Sequence, residues 1–418
     1  MTKQVQWSPW RDKQFLFFAS GNFIDNVGSS IYNVALPLFI YDVTKSLVAI
    51  SFFVAMQPLS MLLAPIFGTL ADRFGSRVLV IPGLTLQLLA ALGINLVTIN
   101  ELGKVHEGSM LLSFLPLMLF VEIGGNAYRR GWMSGLPGMF GGNAVKARGS
   151  QFTLYVASTI LGPLLVTVGL PTIGYLGLLW ANLISYIAPM IVWWIGVHPP
   201  RVQKNGEFHF QFFQDLKEGW QIIRNKPQLV NYLIVLVPLT FSTVVDALVI
   251  YYLRHNWKLS ARNVSTIYAI ANIASFIGSL WASEQKKFRL RLFLAISVIG
   301  LLVVLLMLPI PFLPLVLFTV ILNAFFTGAF GAMDGMLLVA YSPESAYGRI
   351  SGIYLLLGGI PAFVSPLVTP LIKRGVGIQG TFLILAGVAC LSAFWVVWKW
   401  SVWADTSVNT EESLDISL

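Results

Sequence analysis

"GTLADRFGSRVLV", residues 68–80, sets Asp72, Arg73 and Arg77 among glycines in a chain that is 56% hydrophobic and only 11% charged. A single Asp, Lys or Arg at the centre of a membrane-spanning helix costs about 2.5–3.5 kcal/mol. Three of them within six residues therefore belong at a membrane surface, in a turn between two buried segments. The rest of the chain agrees. Over its 418 residues the mean hydropathy is +0.76, too high for an ordinary solvated surface, so this is an integral membrane protein. A hydrocarbon core of about 30 Å needs about 20 apolar residues of helix. Twelve such runs can be read, near 15–42, 47–70, 78–100, 110–134, 150–169, 172–196, 229–252, 264–283, 292–310, 313–340, 351–371 and 378–399. The charged stretch falls between the second and the third.

Several function classes drop out on composition. The start, MTKQVQWSPWRDKQ, is polar and the first apolar run is too long for a signal peptide, so no cleavable leader is expected. One cysteine, Cys390, allows no internal disulfide and no cysteine metal cluster. Four scattered histidines (His106, His198, His209, His255) have no metal-ligand spacing, and no phosphate-cradling loop is present. Neither cofactor, nor metal, nor enzyme activity is expected.

Basic residues fix the expected orientation, because cytoplasmic loops retain Lys and Arg. With a cytoplasmic N-terminus, seven of the 27 (Lys45, Lys104, Arg254, Lys258, Arg262, Lys373, Arg374) fall outside and 20 inside, Arg129 and Arg130 among them. Both termini are then cytoplasmic. The net charge of +9 reflects this topology and needs no nucleic-acid partner.

The longest polar interruption, 198–228, divides the runs six and six. Its later part spaces Phe212, Phe213, Leu216, Trp220 and Ile223 helically, as an amphipathic helix along the membrane surface would. The expected organisation is a six-helix bundle over 1–197, a linker over 198–228, a second six-helix bundle over 229–400 and a polar, acidic, disordered tail over 401–418. The halves repeat weakly. Ala147-Arg148 and Gly348-Arg349 each precede a proline (Pro163, Pro366), and Gly278-Ser279-Leu280 echoes Gly68-Thr69-Leu70, with Ala282 where the first copy has Asp72. Such repeats are the sequence trace of transporter folds whose substrate site lies near the midplane.

The stretch "GTLADRFGSR" closely resembles the signature loop of the major facilitator superfamily, with Gly68, Leu70, Asp72, Arg73, Gly75 and Arg77 matching and Ser76 where a basic residue is common. The stretches "MSGLPGMFGGNAVKARGS", "FFQDLKEGWQIIRNKPQL" and "SPESAYGRISG" resemble its macrolide-efflux branch, which includes a siderophore exporter. The resemblance implies twelve transmembrane helices in two pseudo-symmetric bundles and secondary active transport by alternating access. It also implies a place in the inner membrane of a bacterium. Within the motif, Asp72 would latch the cytoplasmic side by accepting hydrogen bonds from the N-terminus of span eleven, while Arg73 and Arg77 would pair with acids or lipid phosphates. Family antiporters carry a Gly-Pro-rich motif in span five; here Ser158, Gly162 and Pro163 are kept, with Val166 and Thr167 where glycines are usual.

Charges within the spans point to the substrate path, since ionisable groups in hydrocarbon usually face a cavity. Span one carries Asn22, Asp25, Asn26, Ser29 and Asn33 as one polar stripe. Span four carries Glu122 and Asn126, span seven Thr243 and Asp246, and span ten Asn323 and Asp334. Asp25, Glu122 and Asp246 are the candidates for proton coupling; Asn22, Asp25, Asn26, Asn33, Glu122, Asn126, Asp246 and Asn323 are the candidates for the cavity. Each acid also admits a structural role: Asp25 bonded within the bundle, Glu122 paired with Arg129 or Arg130, Asp246 at the outer rim and Asp334 at a helix end. Three functions stay open: proton-coupled efflux of amphipathic drug-like compounds, transport of a lipid-like or metabolite substrate such as a lysophospholipid or siderophore, and a non-transporting receptor or scaffold. The expected partners are an amphipathic small molecule, protons and membrane lipids, with the chain acting as a monomer.

Overall fold

The computed structural model describes residues 8–101, 107–196, 212–243, 245–283, 290–341, 347–399 and 401. Every regular element among them is a helix: α1 (Lys13–Thr44), α2 (Leu47–Met61), α3 (Ala64–Phe74), α4 (Arg77–Glu101), α5 (Glu107–Phe140), α6 (Ala144–Ser185), α7 (Ile187–Ile195), α8 (Phe212–Arg224), α9 (Pro227–Thr243), α10 (Asp246–His255), α11 (Ala261–Ser283), α12 (Leu290–Met307), α13 (Leu313–Tyr341) and α14 (Tyr347–Trp398).

Among the described residues, seven helical segments are long and apolar enough to cross a membrane by length and composition, and two of them run 50 and 47 residues. A straight helix of that length would reach roughly 75 Å, more than twice a hydrocarbon core. The reason is a turn inside each. Gly174 (φ 65, ψ −175) interrupts α6 and Gly377 (φ 73, ψ 178) interrupts α14, both at positive φ, where a side chain would be strained. A Cβ added at Gly169 would lie 2.9 Å from Leu178 Cδ2, an approach impossible along one straight helix, so the chain doubles back at Gly174. Dividing α6 and α14 at these glycines, and joining α2 to α3, the returning arm of α6 to α7, and α9 to α10, gives six passes before α8 and six after.

The chain forms two compact units, one of Met1–Phe210 with Asp246–Ala269, the other of Gln211–Val245 with Ile270–Leu418. In the first, α1 is capped by Asp12, whose Oδ1 accepts from Gln14 N at 2.8 Å and Phe15 N at 3.2 Å. Phe15, Phe18, Leu84, Tyr128, Phe140 and Trp193 pack together in one buried core of this unit. Small residues bring its helices together. A Cβ on Gly124 of α5 would sit 2.6 Å from the Gly83 carbonyl of α4, and one on Gly162 of α6 would strike Ser30 of α1. Gly162 of the antiporter-like stretch thus serves the α1–α6 contact.

In the second unit Ile223, Tyr232, Val298, Met333, Tyr354 and Val396 share a core. Gly278, the echo of Gly68, packs so tightly on α13 that a Cβ would meet the Phe325 carbonyl. In helix α8, Ile223 is fully buried against the unit and Gly219 is buried one turn before it, while Trp220, three residues from Ile223 and next to it on the helix surface, is 46% exposed. The side chains of Phe212, Phe213 and Leu216 lie outside the described residues, as does the tail beyond residue 401.

Candidate functional site

The opening motif begins in α3, which Gly75 ends at φ 85, a conformation that favours glycine and lets α4 start at Arg77 two residues later. Arg77 Nη2 donates to the Trp193 carbonyl at 3.3 Å, in the last turn of α7, where a cation complements unpaired carbonyls. This adds a helix C-terminus to the acids and phosphates expected as its partners. Leu70 is half-buried. The side chains of Gly68, Asp72 and Arg73, and with them the Asp72 latch, lie outside the described residues.

The polar stripe of α1 grades from inside to outside. Asn22 and Asp25 are 2% and 6% exposed, Asn26 and Ser29 are half-buried, and Asn33 is exposed. Tyr128 of α5 donates its hydroxyl to Asn22 Oδ1. Asn22 Nδ2 and Asp25 Oδ1 are buried and have no hydrogen-bond partner among the described residues. One turn apart on α5, Glu122 is half-buried and Asn126 is buried, with Asn126 Nδ2 donating to Ser60 Oγ of α2 at 2.5 Å. Among the described residues Glu122 makes no ion pair with Arg129, which is exposed. A buried carboxylate usually collects two or three donors. Asp25 departs from that, and its free oxygen is the outstanding chemical feature of the unit.

Two neighbours of this site were missed in the sequence. Gln87 of α4 is 4% exposed with Oε1 unpartnered, and a Cβ on Gly125 would lie 3.0 Å from its Nε2. It is one of few amides in an apolar run that also holds Asn95, a signal readable in the sequence. Tyr128 gave no such signal, since its partner lies 106 residues away.

The remaining candidates separate. Asp246 opens α10, is exposed, and accepts from Tyr268 at a long 3.4 Å. Asn323 is half-buried with an unpartnered Oδ1. The Thr243 side chain lies outside the described residues. Asp334 corrects its expected place at a helix end. Helix α13 runs on to Tyr341, and Asp334 Oδ1 accepts from Tyr232 at 2.5 Å beside stacked rings of Tyr354 and Phe330. Thr167, where family antiporters carry glycine, shares a 2.6 Å hydrogen bond with Ser265.

Comparison with known proteins follows the same lines. The sequence profile of the Major Facilitator Superfamily matches residues 18–284, more than half of the chain. A comparison with curated proteins finds no match. Among solved structures, a bacterial homologue of the iron transporter ferroportin in an inward-facing state superposes with a TM-score of 0.72 at 12% identity, covering 93% of this chain and 98% of that one. The nucleoside transporter NupG gives 0.69 at 12% identity, over 93% and 99%. The inward-open xylose transporter XylE from E. coli gives 0.68 at 12% identity, over 96% and 98%. Identities this low speak for the fold alone.

Proposed function

The chain belongs to the major facilitator superfamily, and on that footing we propose that it is a proton-coupled exporter of amphipathic, drug-like compounds working by alternating access. It is a transporter and not an enzyme. Asp25 carries the reading. Its carboxylate is buried on the polar stripe of α1 with Oδ1 unpartnered, so an ionised form has little to offset its desolvation. A proton or a cationic substrate must neutralise it whenever the path dries, and water must reach it when the path opens. The charge state of Asp25 then differs between the two forms, which is what coupling requires. Glu122, half-buried on α5, is the second acid in line. In this reading both termini are cytoplasmic in a bacterial inner membrane, the monomer is the working unit, and Asp72 biases the cycle from the cytoplasmic side.

A second reading, carriage of one lipid-like or metabolite substrate, is favoured by Thr167. Its hydroxyl is tied to Ser265 where the drug-antiporter pattern has a bare glycine.

Reconstituted protein, given a panel of amphipathic compounds and an imposed pH gradient, tests both. Asp25→Asn should abolish gradient-driven accumulation while sparing substrate counterflow, which needs alternating access but no net proton movement. Loss of accumulation in Glu122→Gln alone would move the coupling role there. If both variants still concentrate substrate with the pH gradient as sole energy source, neither acid couples. Accumulation of one metabolite, with the drug panel untouched, would favour the second reading.

A further inference from the structure

Buried polar atoms without a hydrogen-bond partner are spread unevenly over the molecule. In the second unit Asn323 Oδ1 is the one such atom among the described residues. The first unit holds many, Asn22 Nδ2, Asp25 Oδ1, Gln87 Oε1, Asn182 Oδ1 and Tyr186 Oη among them, on side chains of which none is more than 6% exposed. Leaving such an atom dry costs more than holding a water molecule in place.

Close helix contacts put these five side chains within a helical turn of one level. On one side of α1, a Cβ on Gly21 would lie 3.1 Å from Pro189 Cα and one on Gly28 would lie 3.4 Å from Asn182 Cα. The two passes therefore run antiparallel, and Asp25, between the glycines, is level with Tyr186 at the joint of α6 and α7. On the other side, Tyr128 of α5 reaches Asn22 with its hydroxyl. The fourth pass runs opposite to the first, so Gly125, one turn before Tyr128, is level with Asp25 as well. A Cβ on Gly125 would lie 3.0 Å from Gln87 Nε2 of α4 and, among the described residues, within 4 Å of no atom of α1, so there is room between α1 and α5 at this level. A buried water needs roughly two to four polar partners. The seam offers three unpartnered acceptors (Asp25 Oδ1, Gln87 Oε1, Asn182 Oδ1), one donor (Asn22 Nδ2) and the Tyr186 hydroxyl, which serves as either.

We propose that bound water fills the seam between α1 and α4–α5, joins Asp25 to Gln87, Asn182 and Tyr186, and carries the proton to and from Asp25 on the inner face of α1, while substrate uses the face that bears Asn26 and Asn33. Proton and substrate then reach one helix from different sides, for Asn26 is half-buried and Asn33 exposed at the outer edge of the stripe. In the transfer one O–H bond forms at Asp25 Oδ1 and one breaks on the adjoining water. That water takes a replacement proton from the next, and the Tyr186 hydroxyl gives one proton and accepts another with no net change. Gln87 and Asn182 hold the water and are positioning residues. A few waters held by amides pass a proton but do not solvate a charge as bulk water does, so the charge of Asp25 still follows the opening of the path. The titratable side chains around the seam are Tyr186 and, each one turn from Gly125 on α5, Glu122 and Tyr128. The seam rests on the coupling reading of Asp25 for its purpose, but its water is measurable with no substrate at all.

Hydroxyl radicals made in place by a short X-ray pulse oxidise a buried side chain quickly where it touches bound water. In the unmodified full chain in detergent, ring oxidation read by mass spectrometry should be on the order of tenfold faster at Tyr186 than at Tyr354. The two are 1% and 3% exposed, so bulk access does not favour Tyr186, but the Tyr354 hydroxyl donates to the Leu229 carbonyl at 2.6 Å while that of Tyr186 is unpartnered. Equal rates would overturn the bound water. A pH jump followed by time-resolved infrared spectroscopy on reconstituted protein tests its role. Gln87→Leu and Tyr186→Phe should each slow growth of the Asp25 carboxylic-acid band on the order of tenfold, about 1.4 kcal/mol in barrier. Growth within about twofold of the parent in both, a change under about 0.4 kcal/mol, would overturn the proton route. If either variant elutes as aggregate, Asn182→Ala decides by the same limits. A wild type with no Asp25 band sinks the coupling reading, and fast oxidation at Tyr186 still establishes the water. A wild type with the band and slow oxidation at Tyr186 sinks the seam and leaves the coupling reading standing.

Discussion

Asp25 and Asp42 stand on the same helix, 17 residues and roughly 25 Å apart by helical rise, and they are opposite solutions to one problem. Asp42 is surrounded by Arg254, Lys45 and Tyr175 at the edge of water. Asp25 is more deeply buried and leaves Oδ1 without a partner. A carboxylate ringed by donors ties the elements that supply them together. One left short of donors in a membrane interior is, in the proposal made above, the one whose charge changes with its surroundings. The difference separates a residue that fastens the structure from one that works in it.

Stability measurements can break or sharpen that contrast. Asp42→Asn should cost the most, about 2 kcal/mol of thermal stability in detergent, below the roughly 3–5 kcal/mol of a fully buried pair because both side chains touch solvent. Tyr175→Phe, which removes one hydrogen bond to the same carboxylate, should cost about 1 kcal/mol. Asp25→Asn should fall within about 0.5 kcal/mol of the parent, since the free oxygen has no partner to lose. An Asp25→Asn melting loss as large as that of Asp42→Asn would mean that Asp25 is a structural acid after all. Asp246→Asn should change least, under about 0.5 kcal/mol, because Asp246 is exposed and its bond to Tyr268 is long.

Much of this molecule was legible in the sequence, and the boundary of what was not has a physical cause. Local signals carry through: the stripe Asn22–Asn33 reads at helical period, and the "GTLADRFGSR" stretch, placed between two buried segments, ends a helix at Gly75. The partners of each acid do not read, because they come from far along the chain. Arg254 is 212 residues from Asp42, and Tyr232 is 102 from Asp334. That distance is why Asp334 looked like a helix-end charge and why Asp42 drew no attention. The helical hairpin at Gly377 falls between two adjacent apolar runs, whereas the one at Gly174 falls just inside the run read as 172–196; the chain makes each turn with a single glycine at positive φ, so no loop separates the two arms.

The central claim, that Asp25 takes up and releases a proton, is tested most directly by pH-difference infrared spectroscopy on reconstituted protein. The wild type should show a carboxylic-acid C=O band that grows as the pH is lowered, with matching loss of carboxylate signal. Asp25→Asn should lack that band while Asp42→Asn keeps it. A band that survives unchanged in Asp25→Asn, or one that disappears only in Asp42→Asn, would contradict the account.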